Sequence, residues 1–308
     1  MRVAMLSCVY PPYGGGIGEV ARQYAALLSA EHQVTVITPR YYPGMTFAAT
    51  PGVAIEPRRP FLALGKAAWL PGLRHRLKEF DAVHLHYPFF GAQERLHHLP
   101  ARLKLVLSYH MLPEAGGAKG ALMRWSLRWS DKRLAQRANL LICATRDYLE
   151  AVAQPRLGEP TKWHVLPFGV DARFAPGEPS EVLEHQIKLR YGECALLFVG
   201  TLDPAHAFKG LGVLLQAVGK LRTANWRLVV VGGGKLKQHY EREARRLGLK
   251  DRVHFAGYVA EAQLPDYYHL ANVFVFPSLG TGEAFGLAAL QAMACGLPVV
   301  ASRLTGVR

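Results

Sequence analysis

Short apolar runs rich in β-branched residues recur along the 308-residue chain. The first set is Val3–Val9, Val34–Ile37, Ala82–His86, Leu105–Tyr109 and Leu140–Cys143. Beyond Arg173 come Ala195–Val199, Arg227–Val231, Val253–Phe255, Val273–Phe276 and Pro298–Ala301. Most are apolar at nearly every position instead of alternating, the pattern of parallel strands buried on both faces. The stretches between them carry a helical period. From Ile17 to Ser29, for instance, Ile17, Val20, Ala21, Tyr24, Leu27 and Leu28 fall on one face. Strand, helix, strand in this rhythm predicts an α/β, doubly wound architecture with parallel sheets.

The rhythm occurs twice. Around Asp171–Pro179, glycine, proline and acidic residues cluster without periodicity, so two Rossmann-like domains are expected, over residues 1–173 and 174–308. Ligands of such sheets sit beyond the carboxyl ends of the strands, and a cleft with the two domains facing each other is the expected site. With 50% hydrophobic and 19% charged residues the chain has material for full-sized cores, and a disordered chain is excluded. The longest apolar stretch, Ala284–Ala301, is interrupted by Gln291, Gly296 and Pro298, which argues against a membrane span. The apolar run of Met1–Tyr10 is too short for a signal-peptide core, so a cytoplasmic location is expected.

Four cysteines (Cys8, Cys143, Cys194, Cys295) are scattered, without a Cys-x-x-Cys pair or histidines at metal spacing. They read as small buried hydrophobes in a reducing compartment, with no structural metal expected. The net charge of +14 divides into +10 up to Arg173 (22 basic, 12 acidic) and +4 after it (15 basic, 11 acidic). That bias favours an anionic partner, and nucleic acid is the weakest choice because no recognition motif accompanies it.

Two glycine loops join a strand to a helix. In Pro11-Pro-Tyr-Gly-Gly-Gly-Ile-Gly18 the glycines let a ligand approach the backbone at a helix start, where N–H groups are unpaired. A tight structural turn explains that loop equally well. The dinucleotide pattern read from Gly14 fails at Glu19, and the looser form through Gly16, Gly18 and Ala21 lacks an acid after the second strand, so a nicotinamide enzyme is disfavoured. Val231-Gly-Gly-Gly-Lys235 reads as a structural turn. More telling is Phe276–Val300: a strand, a glycine-rich loop carrying Glu283, and a helix expected near Phe285 that is apolar almost throughout and so expected to be buried. Such a helix start can cradle an anion, although Glu283 could also act only as a cap.

Taken in order, these elements resemble glycosyltransferase family 4, with the GT-B fold. The resemblance runs from Pro-Pro-x-Gly-Gly through Val165-Leu-Pro-Phe-Gly-Val-Asp171, Leu197-Phe-Val-Gly-Thr-Leu-Asp203, Phe208-Lys-Gly210 and His254-Phe-Ala-Gly-Tyr-Val259 to the Glu283 helix. It implies transfer of a hexose-type sugar from a nucleotide-sugar donor, with retention, to a sugar or lipid-linked acceptor. It also implies no metal and no other cofactor, and no Asp-x-Asp occurs in the chain. By this resemblance Lys209 contacts the donor diphosphate, with backbone N–H groups of Gly15, Gly16, Phe285, Gly286 and Leu287. Glu283 holds sugar hydroxyls, Val259 lies beside the base, and His110 lies near the donor sugar.

Two positions depart from the family. Gln291 stands where a second glutamate, with seven residues between it and Glu283, would grip the ribose, and an amide has one acceptor oxygen for two hydroxyls. Thr201 stands where many members carry arginine. The second domain also stops early against the family pattern and is expected to be incomplete. His84, His86 and His254 read as strand residues. Within the fold, an epimerase or phosphorylase competes with transfer, and a catalytically impaired binding protein is the alternative from another class. Arg124, Arg128 and Lys132 recur every four residues beside Trp125 and Trp129, a stripe that fits peripheral binding to an anionic membrane as well as it fits a solvated helix face.

Overall fold

The computed structural model describes residues 1–12, 15–112, 130–222 and 225–308. The chain forms two compact units, Met1–Phe168 and Gly169–Arg308. The division falls five residues before the expected boundary at 173: the last strand of the first sheet ends at Val165, and Phe174 is already part of the second unit's core.

Among its described residues unit 1 contains nine strands: β1 (Arg2–Leu6), β2 (Gln33–Pro39), β3 (Val53–Arg58), β4 (Leu62–Leu64), β5 (Ala67–Trp69), β6 (Ala82–Tyr87), β7 (Lys104–Tyr109), β8 (Leu140–Cys143) and β9 (Trp163–Val165). Seven of them form one parallel sheet in the order β3-β2-β1-β6-β7-β8-β9, and β4 and β5 make a separate antiparallel hairpin. Val83, Leu85, Leu105, Leu107 and Leu141 are fully buried, as continuous apolar strands require. Helix α1 (Gly16–Leu28) packs Ala21 and Ala25, with Tyr24 and Leu28, against Val3, Met5, Val34 and Val36. The first strand ends at Leu6 and not at Val9. Beyond it Ser7 turns its hydroxyl back onto the Val9 carbonyl (2.6 Å), so Cys8 and Val9 are buried in a loop.

Unit 2 holds β10 (Cys194–Val199), β11 (Trp226–Val231), β12 (Val253–Gly257), β13 (Val273–Phe276) and β14 (Val299–Ala301) in one parallel sheet ordered β12-β11-β10-β13-β14. Its helices include α2 (Leu211–Val218) and α3 (Leu287–Ala294). One core joins Leu197, Val229, Val231, Phe274 and Phe276 to Tyr268, Ala289 and Ala292, and another lies on the opposite face around Leu215, Leu228, Val230 and Tyr240.

Helix α3 begins at Leu287, two residues later than expected, because Gly286 takes a left-handed conformation (φ 84°) as its cap. It is also only partly buried. Met293 is 56% exposed, and Val300 on the edge strand β14 is 60% exposed. In both units the strand order runs outward in two directions from the first strand, giving a switch point between β1 and β6 and another between β10 and β13.

Candidate active site

In a doubly wound sheet the connections on either side of the switch point leave toward opposite faces, opening a crevice at the carboxyl ends of the two central strands. In unit 2 those ends are Gly200-Thr201 after β10 and Pro277-Ser278 after β13. The segment after β10 makes a short turn, Pro204–Lys209, and Gly210 (φ 76°) then opens α2. Gly210 lies so close to the other loop that an added Cβ would fall 2.0 Å from the Pro277 carbonyl oxygen. The Leu279 N–H donates to the Phe208 carbonyl (2.7 Å), lacing the two loops together. Only glycine meets both demands at position 210.

That lacing fixes Lys209 and Glu283. The lysine stem runs over Gly200, where a Cβ would meet Lys209 Cδ at 2.6 Å. Its Nζ donates to Glu283 Oε2 at 2.9 Å, with side chains only 20% and 12% exposed. The same ammonium stands 5.7 Å from the Phe208 ring centre and 5.6 Å from that of Phe276. Ser278 Oγ adds a longer contact to Glu283 Oε2 (3.4 Å). The sequence reading assigned Lys209 and Glu283 to different parts of a ligand, whereas the structure joins them to each other. A lysine has three donors, so Nζ can keep this carboxylate and still offer hydrogens to an anion.

The other unit 2 candidates take distinct places. Thr201 follows β10 directly, and Val259 follows β12 and packs against the core around Phe274. Phe285, Gly286 and Leu287 form the entry to α3, with Gly286 packed against the Phe276 ring. Gln291 is buried, and its Oε1 accepts from the Tyr268 hydroxyl (3.1 Å), which also reaches the Ala288 carbonyl (3.2 Å). Its bonding turns it to the core tyrosine, apart from the Lys209–Glu283 pair. The Val231-Gly-Gly-Gly loop is a close approach of backbones: a Cβ on Gly232 would lie 1.9 Å from the Gly200 oxygen, and one on Gly234 would lie 2.4 Å from Leu202 backbone atoms.

In unit 1 the loop after β1 reaches α1 through Gly15, whose φ of 140° only glycine adopts readily. Gly16 opens the helix with nothing within 4 Å of an added Cβ, while at Gly18 a Cβ would press on the Tyr10 backbone at 3.3 Å. Glu19 in the first turn is held by Arg22 (2.6 and 2.9 Å) and Gln23 (3.0 Å).

His110, just beyond β7, is buried and joined to His86 (Nε2 to Nδ1, 2.8 Å), whose ring stacks on it at 5.0 Å. His84 stacks on His86 at 4.6 Å and contacts Ser108 Oγ through Nε2 (2.7 Å), with Tyr24 of α1 lying over His84 at 5.7 Å and Phe168 against His110 at 5.4 Å. Burial pushes His110 down to about 3 and His84 down to about 4, and it lowers His86 well below its ordinary value, with neighbouring histidines reinforcing the effect on His86 and His110. All three are neutral at pH 7. His110 is therefore a hydrogen-bonding group, one nitrogen donating and the other accepting.

His84 and His86, read from sequence as plain strand residues, thus form the support of His110. Ser278 was also missed. The signal for the histidines was available: His84-x-His86 and Ser108-x-His110 share one period-2 phase, and β6 pairs with β7 so that His86 meets Ser108.

Among the described residues no group of three histidine, cysteine, aspartate or glutamate side chains is arranged to hold a metal ion. No helix among them is long and apolar enough to cross a membrane. The stripe through Arg124, Trp125, Arg128 and Trp129 lies outside the described residues.

Comparison with known proteins gives a consistent result. The family described as glycosyl transferase 4-like domain matches residues 15–169, and the one described as glycosyl transferases group 1 matches residues 193–308. The chain belongs to the group 1, family 4 glycosyltransferases. It is similar to a D-inositol 3-phosphate glycosyltransferase of Acidothermus cellulolyticus, 30% identical over 74% of this chain and 53% of that protein. A GDP-mannose-dependent alpha-(1-6)-phosphatidylinositol monomannoside mannosyltransferase of Mycolicibacterium smegmatis is 27% identical over 96% of this chain and 79% of its own. The chain thus spans about half the length of the inositol-phosphate relatives it matches. Among solved structures, sucrose-phosphate synthase from Thermosynechococcus elongatus superposes with a TM-score of 0.76 at 23% identity, covering 99% of this chain and 82% of that one. Anabaena HepE in complex with UDP-glucose gives 0.75 at 20%, covering 99% and 81%. The fold of this group 1 glycosyltransferase is GT-B.

Proposed function

We propose that the protein is a retaining glycosyltransferase that moves a hexose-type sugar from a nucleotide-sugar donor to a sugar or lipid-linked acceptor without a metal ion. The observation that carries this reading is the Lys209–Glu283 pair, held at the switch point of the unit 2 sheet by Gly200, Gly210 and the Phe208–Leu279 hydrogen bond. A similar fold has been solved with UDP-glucose, and a relative matching nearly the whole chain is GDP-mannose-dependent, which supports a nucleotide-sugar donor.

In this reading the bond from the anomeric carbon to the donor diphosphate breaks, an acceptor hydroxyl oxygen bonds to that carbon on the same face, and the hydroxyl proton passes to the departing diphosphate. The departing diphosphate gains charge, and Lys209 stabilises it from a fixed position in a largely desolvated setting. Phe285, Gly286 and Leu287 offer backbone N–H groups at the start of α3, where the helix dipole also favours an anion. Glu283 accepts from sugar hydroxyls, Val259 packs beside the base, and Thr201 flanks the phosphates. In unit 1, Gly15 and Gly16 present N–H groups to an anion, and neutral His110 serves as a hydrogen-bonding group for a sugar.

The test is release of nucleoside diphosphate from a panel of donors, with and without chelator, and assignment of the product anomer by NMR. Release unaffected by chelator, with the donor's anomeric configuration kept, supports the reading. Inversion or chelator-sensitive turnover refutes those parts of it. A second reading, a catalytically impaired nucleotide-sugar-binding protein, is favoured by one observation: the single acceptor oxygen of Gln291 is already engaged by Tyr268. Donor binding without turnover would decide for it.

A further inference from the structure

After β3 the chain makes the β4–β5 hairpin, with Leu62 opposite Trp69 and Leu64 opposite Ala67 around a turn at Gly65-Lys66. Every residue from Phe61 to Lys66 is exposed. Phe61 is 85% exposed, Leu64 58% and Leu62 46%. A hairpin with three-residue strands has no stability of its own, so its surroundings must hold it. The Ala68 N–H donates to the Phe90 carbonyl (2.9 Å), and Gly91 backs onto Ala68 so closely that a Cβ would fall 2.4 Å from the Ala68 oxygen. The Tyr41 hydroxyl bonds the carbonyl of Lys66 (2.9 Å) and that of Cys8 (2.7 Å). The base of the hairpin is therefore pinned to the body of unit 1, and its apolar tip is held outward.

The charge along the flanking chain is one-sided. From Arg40 to Lys78 there are seven basic residues and one acid, and that acid, Glu56, is taken by Arg58 and Arg76. Arg59 and Lys66, both exposed, bracket the apolar tip.

We propose that this hairpin docks the protein on an anionic lipid bilayer, Phe61, Leu62 and Leu64 entering the boundary between headgroups and acyl chains while Arg59 and Lys66 meet lipid phosphates. The basic collar selects an anionic partner, and the aliphatic tip selects among anionic partners: leucine side chains gain little from a nucleic-acid backbone and much from an acyl interface. A second copy of the chain is a poorer occupant, because three side chains fall well short of the roughly 800 Å² per partner that a stable interface buries. A bilayer accepts a small wedge because apolar entry and charge attraction add. Lys66 Nζ also lies 3.8 Å from the position of a Cβ on Gly15, so the docked edge adjoins the glycine loop. On the proposed function this favours an acceptor anchored in the same bilayer. The docking itself does not rest on that reading.

The experiment is co-sedimentation of the full chain with vesicles of phosphatidylcholine alone or mixed with phosphatidylglycerol, at two salt concentrations. Binding is expected only to the anionic vesicles and should fall as salt rises. Removing one basic residue near the surface costs about fivefold in partition, so Arg59→Gln with Lys66→Gln should lose about 25-fold. Leu62→Ser with Leu64→Ser should lose at least about tenfold. Because these side chains are exposed, both variants should keep the parent melting temperature. No binding by the parent, equal binding to neutral vesicles, or unchanged binding by the leucine variant at unchanged stability would overturn the proposal. So would a parent dimer that the leucine variant dissolves, which would assign the tip to a second copy. None of these readouts requires turnover, so failure of the docking and failure of the transferase reading are seen separately.

Discussion

Replacing Lys209 by methionine removes the ammonium and keeps a flexible stem over Gly200 and between the rings of Phe208 and Phe276. At 2.9 Å and an effective dielectric constant of about 20, the gross attraction to Glu283 is about 6 kcal/mol. Desolvation of two largely buried ions offsets most of it. The variant leaves the Glu283 carboxylate with the 3.4 Å contact from Ser278 as its remaining side-chain bond in the pair, a loss expected to cost about 1–3 kcal/mol of stability. Glu283→Gln with Lys209→Met should then be more stable than Lys209→Met alone, since the orphaned charge is gone.

The catalytic arm differs in size and sign. If Lys209 stabilises the leaving diphosphate, its loss costs about 2–4 kcal/mol in the transition state, roughly 30- to 1000-fold in kcat/KM, and removing Glu283 as well restores none of it. Urea unfolding measures the first arm and nucleoside diphosphate release the second. A Lys209→Met protein with lowered stability but kcat/KM within about threefold of the parent would refute the assignment, leaving the pair as a structural ion pair.

Four further outcomes follow from the same geometry. Gly210→Ala combines a left-handed backbone with a Cβ 2.0 Å from the Pro277 oxygen, and should lower stability by about 3 kcal/mol or more in urea unfolding. Gly16→Ala meets open space and should leave the urea midpoint within about 0.5 kcal/mol of the parent, so a drop in turnover there would report ligand approach to the backbone. The buried histidines have depressed values in the folded chain, so protons bind the unfolded state better: their stabilisation is full above about pH 6.5 and is lost as pH falls toward 4, by up to about 1.4 kcal/mol per pH unit for each of the three. A urea midpoint unchanged between pH 7 and 5 would contradict their neutral burial. Gln291→Glu should tighten nucleoside diphosphate binding by about 1 kcal/mol, and the 2′,3′-dideoxy analogue should gain nothing; equal gains, or none, would remove position 291 from the ribose.

Each of the ten apolar runs contains a strand, and in the central ones burial on both faces leaves an unbroken apolar signature that loops do not share. The strands that escaped notice are those without it. β3 is an edge strand, half-buried and carrying Glu56 and Arg58; β9 has three residues with an exposed His164 and Val165; the hairpin strands also have three residues each, and β4 is exposed throughout. The site divides in the same way. Lys209, Gly210 and Glu283 stood in recognisable loops, but their meeting depends on a 74-residue separation closed by the Phe208–Leu279 bond, which no local pattern encodes. The support of His110 was legible in principle from the β6 and β7 phases, once the two strands were taken as neighbours. The Tyr268 contact to Gln291 was not, because it joins α3 to a helix 23 residues earlier through packing alone.

Three of the polar side chains proposed for the chemistry already have an internal partner: Lys209 has Glu283, Gln291 has Tyr268, and His110 has His86. The consequences differ with the number of hydrogen-bonding groups each side chain owns. Lys209 loses one of three donors and stays competent toward an anion while its direction is fixed, which is pre-organisation without exhaustion. Gln291 owns one acceptor oxygen with two lone pairs, so the tyrosine leaves at most one for a hydroxyl. His110 keeps one nitrogen beyond the shared bond, and the direction of that bond decides whether this nitrogen donates or accepts. The shared proton between His86 and His110 leaves two tautomer pairs. If His86 carried its proton on Nε2 and accepted at Nδ1, that Nε2–H would be buried with no partner, a costlier state than a buried bare lone pair. The favoured pair therefore has His86 donating from Nδ1 to His110 Nε2, which puts the His110 proton on Nδ1 and, on the proposed function, makes His110 a donor toward a sugar oxygen. Nitrogen-15 shifts of the two rings at pH 7 read this directly, and a protonated Nε2 on His110 would reverse the argument.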